Sequence, residues 1–174
     1  MKKGYVQVYT GEGKGKTTAA LGLALRALGR GFFVFMVQFM KPPDSSGEHL
    51  AAERFQGKFT LRPSGRKRFI GREGPEAEDI RLAQTALAEA RSIMEAGAHD
   101  LIILDEVNVA VAFGLIKVEQ VIELIQARPP QIELILTGRY AKPEVLALAD
   151  LVSEINPVKH YSDSGVTARE GIEY

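Results

Sequence analysis

The chain contains no cysteine and no tryptophan. Without thiols, disulfides, thiolate metal centres and thiol redox chemistry are all excluded for the protein itself. A charge bias is missing as well: 22 Lys and Arg stand against 22 Asp and Glu, so no net field draws in nucleic acid or an anionic membrane. No apolar run approaches the roughly 18 residues that a membrane span needs. The first strand pattern begins directly after Met1-Lys2-Lys3, which leaves no room for a signal peptide, and the expectation is a cytoplasmic chain. Internal repeats and low-complexity segments are absent too. What the chain does have is 174 residues of which 45% are hydrophobic, enough for one substantial core, and a single domain over residues 1–174 is expected.

The most informative stretch is Tyr5-Val-Gln-Val-Tyr-Thr-Gly-Glu-Gly-Lys-Gly-Lys-Thr-Thr18, a short alternating strand that runs into a glycine-rich loop. With no side chains at Gly11, Gly13 and Gly15, successive backbone N–H groups can turn inward around phosphate oxygens at the start of a helix, whose dipole adds to the attraction. Lys16 then offers a point charge to the phosphates, and the Thr17 hydroxyl is placed to ligate Mg²⁺. The first position of the usual G-x-x-x-x-G-K-[ST] pattern is Thr10 here. Thr10, Gly11, Glu12, Gly13, Lys14, Gly15, Lys16, Thr17 and Thr18 are the expected nucleotide-binding residues, with Lys16 and Thr17 acting in catalysis. Strand, loop and an Ala/Leu-rich helix (Ala19, Ala20, Leu23, Ala24, Ala27, Leu28) follow in the order a phosphate-binding loop requires.

Strand and helix patterns alternate along the whole chain, which predicts an α/β fold: a mostly parallel sheet with helices on both faces, of the P-loop NTPase type. Gly29-Arg30-Gly31 ends the first helix, and Phe32 to Phe39 reads as a strand buried on both sides. A long helix starts at Gly74-Pro75, carries Glu76, Glu78 and Asp79 in its first turn, repeats Ile80, Ala83, Leu87, Ala90 and Met94 at helical spacing and closes at Gly97. Leu101 to Leu104 is a strand, Val118 to Ala127 a helix stopped by Pro129-Pro130, Ile132 to Leu136 a strand, and Pro143 to Ala149 a short helix before Leu151 to Ile155. Met40 to Gly47 and Leu61 to Gly74 show no clear period and read as long, functional loops.

Leu101-Ile-Ile-Leu-Asp-Glu106 is an apolar strand that ends in two acids. In P-loop proteins such a strand lies beside the P-loop strand, and its terminal carboxylate reaches the Mg²⁺ held by Thr17. Asp105 is the expected metal ligand. Glu106 either orients an attacking water, as in an ATPase, or supports metal or substrate in a transferase. Arg139, after the strand that ends in Thr137-Gly138, emerges where open α/β sheets bind ligands and serves an anion contact or a structural ion pair. Gln38, Lys41 and Gly47-Glu48 sit at the same edge. His160 is a ligand, a proton carrier or a structural group. The cluster Arg62, Arg66, Lys67, Arg68, Arg72 holds only Phe69 as an aromatic, so it reads as a solvated loop or pocket rim and not as a nucleic-acid surface. The residues alone define a Mg-nucleotide-dependent enzyme; a P-loop nucleotide or nucleoside kinase and a partner-driving ATPase remain open.

Thr10 to Thr18, Gln38-Phe-Met-Lys41, Gly47-Glu48, Leu104-Asp-Glu106, Leu136-Thr-Gly-Arg139, Ala149 to Glu154, Val158-Lys-His160 and Gly171-Ile-Glu-Tyr174 together resemble the P-loop ATP:corrinoid adenosyltransferases, over nearly the whole chain. The resemblance implies that Co(I) of a reduced corrinoid attacks C5′ of ATP and expels triphosphate, with ATP held in the reverse sense along the loop. It implies a triphosphate cradled by Gly11 to Lys16 and Thr17, Mg²⁺ on Thr17 and Asp105 or Glu106, an external reductant, expected to be a flavoprotein, and a homodimer. Family members keep the lower axial ligand off cobalt with aromatic residues in the loop before the long helix; in this chain that loop offers Phe69 and no Trp.

Overall fold

A computed structural model of the protein describes residues 2–43, 46–68, 70–71 and 73–173. Six strands, β1 (Val6–Thr10), β2 (Val34–Phe39), β3 (Phe59–Ser64), β4 (Leu101–Asp105), β5 (Glu133–Thr137) and β6 (Leu151–Glu154), form one sheet in the order β3-β2-β4-β5-β1-β6, with every pairing parallel. The helices are α1 (Lys16–Gly29), α2 (Gly47–Glu53), α3 (Ala77–Ala96), α4 (Val107–Ala112), α5 (Val118–Ala127) and α6 (Pro143–Leu146), with a 3₁₀ turn at Tyr161–Ser164. The expected α/β class holds. None of these helices is long and apolar enough to cross a membrane.

Because strand side chains alternate between faces, each central strand feeds two cores. Phe35, Val37, Phe39, Ile102, Leu104, Leu134 and Leu136 point to the side covered by α3, α4 and α5. Val34, Met36, Leu101, Ile103 and Ile135 point to the side covered by α1. Continuing that second set by two residues per strand puts Gln38, Asp105 and Thr137 on the α1 side at the carboxyl ends of β2, β4 and β5. Helix α1 packs on this face through a buried stripe of Lys16, Ala20, Ala24 and Leu28, four residues apart, with two alanines at its middle.

Several expectations need correction, among them the strand starts, since β2 begins at Val34 and β5 at Glu133. Strand β4 is not beside the P-loop strand: β5 lies between β4 and β1. The stretch from Leu61 to Gly74 is not all loop, since Phe59–Ser64 forms an edge strand on β2; Arg62 and Pro63 hid its period, and Pro63 is tolerated because the outer edge needs no donor. Within Met40 to Gly47, α2 begins at Gly47. The helix expected at Pro143 to Ala149 stops at Leu146.

The long helix begins one turn later than its Gly74-Pro75 signal, at a capping box in which Glu76 accepts from the third helical N–H and Asp79 accepts from Glu76 N at 2.9 Å. Arg66 Nε and Nη2 donate to both Asp79 oxygens, at 2.8 and 2.9 Å, so the basic loop is tied to the start of α3. The helix ends as expected, on Gly97 in the left-handed region at φ 66°. The hydrogen bonds from Arg66 hold the Asp79 carboxyl below its ordinary pKa, against a raising effect of burial. A depressed folded pKa stabilises the fold above the unfolded value near ~3.9 and loses that contribution as pH falls through the folded value. Asp79→Ala is therefore expected to cost about 1 kcal/mol at pH 7 through the lost cap. Urea melts repeated towards pH 3 check it: the difference from wild type should shrink there.

Candidate active site

The phosphate-binding loop leaves β1 and enters α1, as its sequence requires. Gly15 turns the chain into the helix at φ 124° with open space at its missing side chain, where backbone can face a ligand. Gly11 and Gly13 have a different reason to be glycine. A Cβ on either would come within 2.5 to 2.8 Å of the Ile155 backbone, and Gly13 N donates to Ile155 O at 2.7 Å. The Gly13 N–H is therefore committed to the tail and not to phosphate, which departs from the expected cradle. Thr10, the last residue of β1, uses its carbonyl to accept from Ile155 N at 2.8 Å.

At the head of α1, Lys16 is 6% exposed and its Nζ donates to Gly11 O at 2.6 Å and Gly13 O at 2.7 Å. Burial holds its pKa below the ordinary lysine value, with Glu106 pulling the other way. Thr17 Oγ1 donates to Asp105 Oδ1 at 2.8 Å, bringing together the two residues expected to bind metal. Asp105 is fully buried and accepts four contacts: Thr17, Thr137 Oγ1 at 2.7 Å, Gln38 Nε2 at 3.3 Å and the Lys41 ammonium at 3.4 Å. Its place follows from strand register, since Gln38 stands opposite Asp105 and Leu104 opposite Leu136, one residue before Thr137. Thr137 is the partner the sequence reading missed. Its position at the end of a buried strand, before Gly138-Arg139, was the available signal.

Glu106 sits beside this group with its backbone in the left-handed region, φ 63°, and its N–H bonded to Thr137 Oγ1 at 2.9 Å. Burial first, and then the charge of Asp105, push its pKa above the ordinary carboxyl value. On the other side, Glu48 from α2 accepts from Gln38 at 3.0 Å and Lys41 at 3.3 Å. Burial lowers the Lys41 pKa, but the carboxylates of Asp105 and Glu48 outweigh it and the net shift is upward.

Beside this cluster lies a cavity of about 910 Å³. Glu12, Lys14, Lys16, Thr17, Thr18, Lys41, Glu48, Glu106 and Arg139 all face it, and so do His160, Ser162 and Glu173 of the tail. Leu21, Leu25 and Phe55 give it an apolar flank. Arg139 pairs with Glu12 at 3.3 Å at the cavity wall. His160 Nδ1 accepts from Ser162 N at 3.1 Å, capping the 3₁₀ turn. A second cavity of about 350 Å³ shares Lys41 and Glu106 with the first and is walled by Phe39, Met40, Ile70, Val109, Phe113 and Leu115, with Arg66 and Arg68 at its rim. The expected corrinoid contact Phe69 lies outside the described residues.

Among the described residues no three His, Cys, Asp or Glu side chains gather into a ready-made cation cage. The oxygens of Thr17 and Asp105, side by side, are hard donors of low number. They suit an ion that keeps most of its shell as water and phosphate, as Mg²⁺ does.

The parallel sheet, the glycine-rich loop between β1 and α1 and the acid at the end of β4 are those of an α/β protein with a P-loop NTPase-like fold. A solved structure, the flagellar accessory protein FlaH from Methanocaldococcus jannaschii, shares this fold: TM-score 0.57 at 16% identity, covering 88% of this chain and 72% of that one. The sequence profile of the ATP:corrinoid adenosyltransferases BtuR/CobO/CobP matches residues 2–174, and the chain belongs to that family. The corrinoid adenosyltransferase of Escherichia coli is 37% identical over 173 residues, covering 99% of this chain and 87% of the relative. Corrinoid adenosyltransferase CobA of Salmonella typhimurium gives the same identity and coverage. The Pseudomonas aeruginosa enzyme is 35% identical over 99% of this chain and 85% of its own length.

Proposed function

We propose that this chain transfers the 5′-deoxyadenosyl group of ATP to Co(I) of a reduced corrinoid, in the making or salvage of adenosylated cobalamin. The C5′–O bond of ATP breaks, the cobalt electron pair forms the Co–C bond, and triphosphate leaves with the electrons of the broken bond. The observation that carries the reading is the cavity itself. Its phosphate end, at Lys16 and Thr17, has as a neighbour a second, largely apolar cavity with which it shares Glu106 and Lys41 as lining, and two adjoining spaces of this character support a nucleotide and a corrinoid bound side by side.

The roles follow from charge and position. Lys16 and the loop amides stabilise the negative charge that builds on the departing triphosphate. Thr17 and Asp105, with Glu106 in reach, would hold Mg²⁺, which supplies further neutralisation of that polyanion. Thr137 and Gln38 fix the Asp105 carboxylate, so its orientation is set before substrate arrives. The apolar cavity excludes water from the reacting face, where a hydrolytic side reaction would waste ATP. No protein nucleophile is needed, because the nucleophile belongs to the corrinoid. The corrinoid must be reduced elsewhere, so an external reductant, for which a flavoprotein is the expected class, and a homodimeric assembly belong to the same proposal. A P-loop kinase or partner-driving ATPase is not favoured, given the family.

Incubating the protein with MgATP and chemically reduced corrinoid should give the adenosyl-corrinoid spectrum and, by anion exchange, one triphosphate per adenosylated product. Stoichiometric ADP instead would replace this reading with phosphoryl transfer.

A further inference from the structure

After β6 the chain crosses the phosphate-binding loop and forms a wall of the nucleotide cavity, presenting Pro157, His160, Ser162, Asp163 and Ile172 to the interior. Two anchor points hold it there. The first is the backbone exchange of Ile155 with Thr10 and Gly13. The second is a cluster of side chains that no step of the reaction uses. Lys14 Nζ lies 2.5 Å from Glu173 Oε1 and 2.5 Å from the Tyr161 hydroxyl. The Tyr161 hydroxyl donates to the same Glu173 oxygen. Arg169 donates to Glu173 from its backbone N at 2.7 Å and from its guanidinium at 3.3 Å, and the guanidinium lies over the Tyr161 ring, 4.8 Å from its centre.

Glu173 thus accepts from three donors on three different parts of the chain, and those donors hold its carboxyl well below the ordinary pKa range. Without it, Lys14 and Arg169 would be two cations sharing one small space. With it, the group carries one net positive charge beside the phosphate end of the cavity, a sign that suits a polyanion.

We propose that Glu173 is a positioning residue for nucleotide binding: with Tyr161 and Arg169 it clasps the carboxy-terminal segment onto Lys14 of the loop, so the cavity wall stands before ATP arrives. The inference rests on the reading that this cavity takes the triphosphate of ATP. A preformed wall spares ATP the cost of ordering that segment on binding. The clasp acts on the nucleotide and not on the corrinoid, because no clasp residue lines the second cavity.

The test measures MgATP binding by calorimetry with no corrinoid present, for wild type, Glu173→Gln and Tyr161→Phe, alongside trypsin cleavage after Lys159 and Arg169. Glu173→Gln should weaken MgATP about tenfold, as the loss of hydrogen bonds to a charged group implies. It should also speed cleavage, and MgATP should protect the segment less. Tyr161→Phe, which keeps the ring under Arg169 and removes one hydroxyl, should fall between. In turnover, the KM for ATP should rise more than kcat falls, with the corrinoid KM unmoved. Faster cleavage with unchanged MgATP affinity would overturn the proposal, and so would equal effects on both KM values. Because binding is measured without corrinoid, a wild-type protein that binds MgATP yet yields ADP would sink the transferase reading while leaving the clasp standing.

Discussion

Asp105→Asn and Lys16→Ala are each expected to lower corrinoid adenosylation by roughly a hundredfold or more while the protein still melts cooperatively. Removing one preorganised charge contact to a developing anion costs about 3 kcal/mol, which is that factor in rate. The Asn variant is the sharper probe. It keeps an oxygen to accept from Thr17 and Thr137, whose hydroxyls lie 2.8 and 2.7 Å from Oδ1, while its amide NH2 takes the place of the oxygen that faces Gln38 and Lys41, so the charge paired with Lys41 and proposed to hold the metal is lost at nearly constant volume. Alanine at 105 would strand those buried donors and confuse a lost role with lost stability. Lys16→Ala removes a side chain that lines the cavity and packs on no core cluster, so the fold is expected to survive the loss of its bonds to the Gly11 and Gly13 carbonyls. Steady-state turnover at saturating Mg²⁺, with melting curves alongside, checks both. Near wild-type turnover in either variant would remove that residue from the site.

The second large effect is one of architecture. Gly11→Ala should lower stability by about 3 kcal/mol or more, because the site carries two penalties at once. Its φ of 93° is strained for any L residue, at a cost of order 1 to 3 kcal/mol, and the new methyl would meet the Ile155 carbonyl oxygen at 2.5 Å. Both partners there are backbone, so the clash cannot be relieved by a side-chain turn. Gly15→Ala is the control: it has a similarly positive φ of 124° and open space around the missing Cβ, so it meets the strain alone. For a chain of this size the Gly11 variant should melt roughly 10 °C below wild type, and the Gly15 variant by clearly less. Calorimetric melts decide it; equal losses would mean that the tail does not press on the loop.

The order in which the site became visible follows the range of the interactions. Glycine and lysine spacing in the loop, alternation in β1 and the stop at Gly97 are short-range features, written within a few residues of where they act. The same holds for the acids that end β4 and for the buried character of β2. Helix α4 shows the limit: Val-Asn-Val-Ala-Val-Ala alternates like a strand, yet it is a helix held between β4 and the core. There tertiary packing overrode local pattern. The edge strand β3 was hidden for the opposite reason, since an edge strand tolerates charge and proline that a central strand would reject.

By itself, then, the sequence determined that this is a parallel α/β protein with a phosphate-binding loop, and it carried the family's motifs at both ends of the chain. Only the tertiary structure decided that β5 separates the strand ending in Asp105 from the loop strand, that Thr137 shares Asp105 with Thr17, and that the tail closes over the loop. The reason is distance along the chain. Thr17 and Asp105 are 88 residues apart, and Lys14 and Glu173 are 159 apart. Periodicity reports which face of a strand or helix is buried; which strand neighbours which, and what a distant tail touches, is set by how the two cores close around the whole sheet.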